Sequence, residues 1–269
     1  MILLRFRTSL QNILPSKIVS VKLKVAGFST YHFNLKEIHG KPMPSIENQQ
    51  QNDTAYLVFR FKEMKPKEEK NITWCLSLKT KDIELKNISL DEIPSKESMK
   101  IRKMFYMWFS KRLNNAALRL LKKSRDLINF EIEVMEFLAR NFRKIERLSE
   151  SPINFFETKY GGIEDFAFGF RVLNAIVGIP TRGVYGFKKI DSTYVEWIWV
   201  QAGYGDKWID FDPFSGELIK RLDNYVPIMI FRRVQRPPIY TVDYKIVRRI
   251  LKRGLNFQIL QFKIESVKE

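Results

Sequence analysis

The sequence predicts an α+β protein, and three observations predict it. Residues 17–90 alternate apolar and polar side chains in short runs, the period of half-buried strands. From 95 to about 148 the apolar positions recur every three or four residues, the period of helices. After one further apolar helix, residues 181–213 return to alternation. At 269 residues the chain can form one large or two moderate domains. We divide it into a β-rich, sandwich-like domain over 1–93, a helical segment plus core over 94–217, and a basic extension over 218–269 packed on that core.

Taken in order, the strand candidates are KIVSVKLKVAG, TAYLVFRFKEM, NITWCLSLKTK and DIELKNISL. Between them, GKPMPSIENQQQND and KPKEEKN carry the Pro, Gly, Asn and Asp of turns. Cys75 falls in the third strand and reads as a buried small hydrophobe. Ser95 or Ser98 can cap a helix through MKIRKMFYMWFSKRLNNAALRLLKKSRDL, with a break at Asn114–Asn115. A second helix fits INFEIEVMEFLARNFRKIERL, with Ile132, Met135, Leu138, Phe142 and Ile145 as its buried stripe. A third, IEDFAFGFRVLNAIVG, ends where Gly178 suits a left-handed cap and Pro180 forbids continuation. RGVYGF, TYVEWIWVQAG and WIDFDP then read as strands.

Composition excludes several classes. One cysteine and two histidines, His32 and His39, rule out a disulfide framework and any multi-cysteine metal site, so neither a metal nor a cofactor is expected. No apolar stretch approaches the ~18–20 residues that span a bilayer. The apolar run in MILLRFRTS is broken by Arg5 and Arg7, which leaves no export signal and makes the cytoplasm the expected compartment.

Four short motifs follow one another in the middle of the chain. Gly161, Gly162, Ile163, Glu164, Asp165, Phe166 and Ala167 open the third helix, and Gly178, Ile179, Pro180, Thr181 and Arg182 close it. Val195, Glu196, Trp197, Ile198 and Trp199 form a strand, and Trp208, Ile209, Asp210, Phe211, Asp212 and Pro213 form another. In this order they resemble the transglutaminase-like superfamily, which shares the papain-like cysteine-protease fold. That family shows Gly-x-Cys-x-Asp-x-Ala, Gly-Ile-Pro-x-Arg, His-x-Trp-x-Glu and Trp-x-x-x-Asp-Pro. The resemblance implies helices packed on an antiparallel sheet behind the β-rich N-terminal region.

It also implies a lost catalytic triad. The family's chemistry needs a thiolate, an imidazole to activate it and a carboxylate to orient the imidazole. Here the cysteine position is Ile163 and the histidine position Val195, or Tyr194 if the register slips by one; only Asp212 survives. No Cys or His follows position 75. We therefore expect a pseudoenzyme, with Asp212 in a turn or hydrogen-bonding role, Asp165 as a helix-start acid and Arg182 as a partly buried ion-pair candidate. Val195, Trp197 and Trp199 would turn the old cleft into an apolar wall.

The net charge of +17 is unevenly spread: +5 over 1–93, +7 over 94–151, −3 over 152–217 and +8 over 218–269. TVDYKIVRRILKRG reads as a short helix with Lys245, Arg248, Arg249 and Lys252 on one face and Arg253 beside it. Arg232, Arg233 and Arg236 lie just upstream. These eight cations are the candidate nucleic-acid contacts, made to the backbone because no base-reading module is recognisable. The expected function is that of a non-catalytic binding or scaffold protein with an anionic partner, nucleic acid ahead of an acidic protein. Two alternatives are an interaction subunit of a larger assembly that uses the vestigial cleft as a peptide groove, and a hydrolase of altered chemistry built on Asp212.

Overall fold

The computed structural model describes residues 2–12, 18–49, 53–82, 88–145, 155–234 and 240–246 of the chain. It divides into two compact units, 1–83 with 238–269, and 84–237.

The first unit opens with six strands: β1 (Ile2–Gln11), β2 (Ile18–Ser29), β3 (Phe33–Lys41), β4 (Ser45–Gln49), β5 (Thr54–Met64) and β6 (Glu69–Thr80). One antiparallel sheet runs β1-β6-β3, and β2-β5-β4 belong to a second. The sheets face each other: Phe59 of β5 lies 5.3 Å from Trp74 of β6, which stacks on Phe6 at 4.9 Å. The expected sandwich-like region therefore has more strands than the pattern revealed. In β1, Arg5 and Arg7 alternate with buried Leu4 and Phe6. In β3, a bulge between Leu35 and Glu37 breaks the alternation that would have marked the strand. The expected strand DIELKNISL lies mostly outside the described residues, and Leu90–Glu92 beyond it is a 3₁₀ turn.

The second unit begins with α1 (Ser95–Phe105), α2 (Lys111–Lys123) and α3 (Leu127–Asn141). The break between the first two falls at residues 106–110, not at Asn114–Asn115, which sit inside α2. Ser110 supplies the reason, since its hydroxyl accepts the Leu113 N–H and caps a new helix. Helix α3 stops at Asn141, and Phe142 leaves it to stack on Phe155 at 4.3 Å. Its buried face is Leu127, Phe130, Glu131, Val134, Met135 and Leu138, whereas Ile132 is exposed. The chain continues through β7 (Arg143–Lys144), α4 (Phe155–Thr158) and β8 (Tyr160–Gly161), with β7 and β8 paired in parallel.

Helix α5 (Ile163–Val177) is the centre of this unit, with every residue from Asp165 to Ile176 buried. A helix apolar on all sides must be enclosed, and α1, α2, α3, β9 and β10 all pack on it. Gly178 ends it at φ +85, as its sequence position required. Strands β9 (Thr181–Ile190), β10 (Thr193–Tyr204), β11 (Lys207–Asp212), β12 (Glu217–Ile219) and β13 (Tyr225–Phe231) form one antiparallel sheet in the order β12-β11-β10-β9-β13.

The described residues of the C-terminal extension divide between the two units. Residues 217–231 complete the core sheet as β12 and β13, while β14 (Tyr240–Ile246) joins the first unit, antiparallel to β2. The helix expected from Thr241 is therefore a strand in its first six residues. Six residues fit periods of 2 and 3.6 almost equally well, and the free edge of β2 supplies the hydrogen bonds that decide.

Candidate functional site

Helix α5 starts at Ile163, directly after Gly161 and Gly162. A Cβ on Gly161 would lie 2.5 Å from the Asp165 Cβ, so the close entry requires glycine. Asp165 is the helix-start acid anticipated above, and its Oδ2 accepts the Gly162 N–H at 2.8 Å. The residue at the head of this helix is thus a half-buried isoleucine in the position where a helix N-terminus would activate a thiol.

Asp212 ends β11 and is fully buried. Its Oδ1 accepts the backbone N–H groups of Phe214 and Ser215, both at 3.1 Å, which is the predicted turn role. Its Oδ2 accepts from Trp197 Nε1 at 2.9 Å, Lys188 Nζ at 2.9 Å and Tyr225 OH at 2.8 Å. Tyr225 OH also lies 2.7 Å from Glu217 Oε2, so its single proton serves one carboxylate at a time. Burial, with Asp212 and Glu217 adding to it, pushes the Tyr225 phenol well above its ordinary pKa and keeps it a donor.

These bonds describe a strongly curled sheet. Tyr225 stands on one edge strand and Glu217 on the other, yet their side chains meet. Across a flat sheet, four inter-strand spacings of about 4.8 Å would separate those edges. The concave face is lined by Lys188, Trp197, Trp199, Asp212 and Tyr225, all buried.

The partner of Asp212 on β10 is Trp197 rather than Val195. Val195 lies two residues back, opposite Lys188. Trp197-x-Trp199-x-Gln201 thus occupies the strand where His-x-Trp-x-Glu was read as Val195-x-Trp197-x-Trp199. A shift of two residues leaves every side chain on the same face, so alternation could not detect it. The shifted register keeps a tryptophan in the middle position, now Trp199, and places a glutamate analogue, Gln201, beside Arg182. Arg182 is fully buried, donates from Nε to Gln201 Oε1 at 2.6 Å, and lies over the Trp208 ring at 4.1 Å. Gln201 Nε2 donates to Asp210 Oδ2 at 2.8 Å, and Trp199 Nε1 to Asp210 Oδ1 at 2.7 Å.

The chemistry follows from the indole. An imidazole donates one N–H to the carboxylate and keeps a second nitrogen to accept a proton. Indole keeps the donor and has no second nitrogen. Phe214 closes the space beside it, 5.6 Å from Trp197 and 5.4 Å from Phe166 of α5. The apolar wall of Val195, Trp197 and Trp199 is therefore no open groove, since both tryptophans are buried with their N–H groups bonded to carboxylates. Sequence reasoning missed Lys188, Tyr225, Ser215 and Glu217, which stand on neighbouring strands and turns and carry no motif.

Of the eight basic candidates, three lie among the described residues. Arg232 lies over Trp208 at 5.5 Å, and its carbonyl, with that of Arg233, accepts from Arg171 at 2.8 Å. Buried with no carboxylate partner among the described residues, Arg171 has its pKa drawn down to about 9 by desolvation, and it remains cationic at neutral pH. Arg233 is exposed, Lys245 lies in β14, and Arg236, Arg248, Arg249, Lys252 and Arg253 lie outside the described residues. A different basic face emerges on α2, where Lys111, Arg112, Arg119 and Lys122 line a shallow groove of about 710 Å³ with Asn115 and Leu118. The opposite face of α2 buries Leu113, Ala116, Ala117 and Leu120. None of these four cations forms an ion pair among the described residues, whereas Lys22, Lys24 and Arg60 all share Glu47.

Comparison with known proteins supports the fold. The sequence profile of the transglutaminase-like superfamily matches residues 114–213. A candidate cysteine protease from Cytophaga hutchinsonii superposes with a TM-score of 0.62 at 13% identity, over 99% of this chain and 90% of that one. The periplasmic domain of TgpA from Pseudomonas aeruginosa aligns at 13% identity and a TM-score of 0.39, over 79% of this chain and 88% of that one. No curated protein matches the sequence significantly. Among the described residues, no helix is long and apolar enough to cross a membrane.

Proposed function

Residues 114–213 belong to the transglutaminase-like superfamily, and on that scaffold we propose a non-catalytic binding or scaffold protein, a pseudoenzyme whose partner is anionic and in the first instance a nucleic acid held through its backbone. The observation that carries the reading is Trp197 donating to Asp212 at 2.9 Å. This bond ties up the surviving carboxylate with a side chain that cannot take a proton. With Ile163 at the helix head and no Cys or His after position 75, the site lacks both nucleophile and base. Removing such a pair leaves little of a rate enhancement. The exposed cations of α2, unpaired among the described residues, support the anionic partner, because such a positive face attracts phosphates.

Gel-shift titration of a duplex at 50 and 200 mM salt tests this reading. Four phosphate contacts predict a slope of about −3.6 in log K against log salt, or a loss of about 150-fold between those concentrations. Replacing Lys111, Arg112, Arg119 and Lys122 with alanine should flatten the slope. No binding at low salt, or binding indifferent to salt, would overturn the proposal.

One observation favours the altered-chemistry hydrolase. Lys188 Nζ lies 2.6 Å from Ser215 Oγ, and lysine–serine pairs serve as base and nucleophile elsewhere. Here Lys188 donates to Ser215 while ion-paired to Asp212, the reverse of the proton transfer that activates a hydroxyl. Ester or peptide hydrolysis abolished by Ser215→Ala would restore that reading; we expect none.

A further inference from the structure

The corner between α1 and α2 carries exposed apolar side chains inside a ring of cations. Ile101 and Phe105 are the buried face of α1, and Met99, Lys103 and Tyr106 follow one another at four and three residues on the other side. Residues 106–108 tighten into a 3₁₀ turn, whose period of three brings Trp108 to the same side as Phe105. Phe168 of α5 holds both rings there, 6.2 Å from Phe105 and 5.3 Å from Trp108. That anchorage leaves Tyr106 and Met107 outside, 74% and 79% exposed, with Met99 at 66%.

Packing accounts for Phe105 and Trp108 but not for the residues between them. Exposed apolar clusters rimmed by polar side chains mark interaction surfaces, and the rim here is basic. Lys96, Lys100, Arg102 and Lys103 lie on α1, and Lys111 and Arg112 open α2, all six exposed. Glu97 is the one carboxylate between positions 94 and 112. None of the six cations forms an ion pair among the described residues.

We propose that this corner docks on an anionic lipid surface, with Met99, Tyr106 and Met107 at headgroup depth and the cations against the lipid phosphates. The occupant follows from the pairing of chemistries. A bilayer is apolar within and negatively charged at its face, the complement of an apolar tip in a positive ring. Two of the three exposed side chains are thioethers, which offer a nucleic-acid base no ring to stack on. Met99 and Met107 stand about 12 Å apart along the helix axis, so α1 lies in the plane of the surface. The lysine stems can then follow the acyl chains while their ammonium groups stay among the phosphates. The corner shares Lys111 and Arg112 with the groove on α2 but not its apolar tip.

The experiment uses the full chain and vesicles of phosphatidylcholine, alone or with about 30% phosphatidylserine. Binding is read by cosedimentation, and insertion by quenching of tryptophan emission with brominated acyl chains. Trp108 is half-buried and the other four tryptophans are buried, so quenching reports this corner. Binding is expected only to the vesicles that contain phosphatidylserine, with the emission quenched. Each cation near such a surface multiplies binding by about fivefold, so Lys100→Ala/Lys103→Ala should weaken it about 25-fold.

Tyr106→Ser/Met107→Ser should weaken vesicle binding by about tenfold and abolish quenching. Both side chains are exposed, so the melting temperature should not change. The same variant should keep the salt-dependent duplex binding assigned to α2, so that the two readings fail separately. No binding to anionic vesicles, equal binding to neutral ones, or binding that leaves Trp108 unquenched and survives Tyr106→Ser/Met107→Ser would overturn the proposal. Loss of oligonucleotide affinity in that variant would also overturn it and assign the tip to nucleic-acid bases.

Discussion

Removing the Asp212 carboxylate should be among the costliest single changes in the second unit. Asp212 is 0% exposed and accepts five hydrogen bonds: three at 2.8–2.9 Å from Lys188, Trp197 and Tyr225, and two at 3.1 Å from the backbone of Phe214 and Ser215. Asp212→Ala strands the Trp197 indole and both backbone donors. Tyr225 retains Glu217, and Lys188 retains Ser215 and a longer contact of 3.4 Å to Glu217. Breaking a buried ion pair from one side costs about 3–5 kcal/mol, and each stranded neutral donor about 1–3 kcal/mol more. Non-additivity brings the expected loss to about 5 kcal/mol, a large share of the ~5–15 kcal/mol that holds a domain together. Lys188→Met in the same chain removes the cation that has lost its nearer carboxylate and should recover about half of that. Urea titration followed by tryptophan emission suits the measurement, because Trp197 and Trp199 are bonded within this cluster and its neighbour. A loss below about 1 kcal/mol for Asp212→Ala, or a double variant no more stable than the single, would refute Asp212 as the hub of the sheet.

Other expectations follow from neighbouring features. Burial raises the carboxyl of Glu131 well above its ordinary 4.5, against the opposing hydrogen bond from Asn174. The folded state therefore holds this proton where the unfolded state releases it, and stability is full below pH 4.5 and falls as pH rises toward the folded pKa. Glu131→Gln should remove that decline, read as melting temperature against pH. Gly186→Ala should cost about 2 kcal/mol by overpacking, because a Cβ there would meet the Val226 carbonyl at 2.1 Å and Trp199 at 2.9 Å. Ile163→Cys by itself should give no ammonia release from a glutamine donor peptide, since the group facing Asp212 remains an indole; turnover by that single variant would contradict the assignment of Trp197.

Much of the core was legible because its signals are local. The αL glycine at Gly178, the helix-start acid Asp165 and the turn role of Asp212 each rest on interactions within four residues. The alternating strands β2, β5 and β6 were visible for the same reason, whereas the bulge in β3 concealed that strand by shifting its side chains midway. The break between α1 and α2 was misplaced because asparagines are weak breakers, and a serine cap at Ser110 outweighed them.

The chain by itself determined that the middle segment has neither thiol nor imidazole, because these are facts of composition that no fold can reverse. It also determined the fold class, since period changes along the chain impose which faces must be buried. Tertiary structure alone decided which residue faces Asp212, because a two-residue slip is silent in a pattern of period two. It alone brought Tyr225 and Glu217 together across a curled sheet, and moved residues 241–246 from an expected helix to the edge of β2. It also set Arg7, Thr73 and Lys41, far apart in sequence, side by side across three strands, since strand pairing sets neighbours by register and not by separation along the chain.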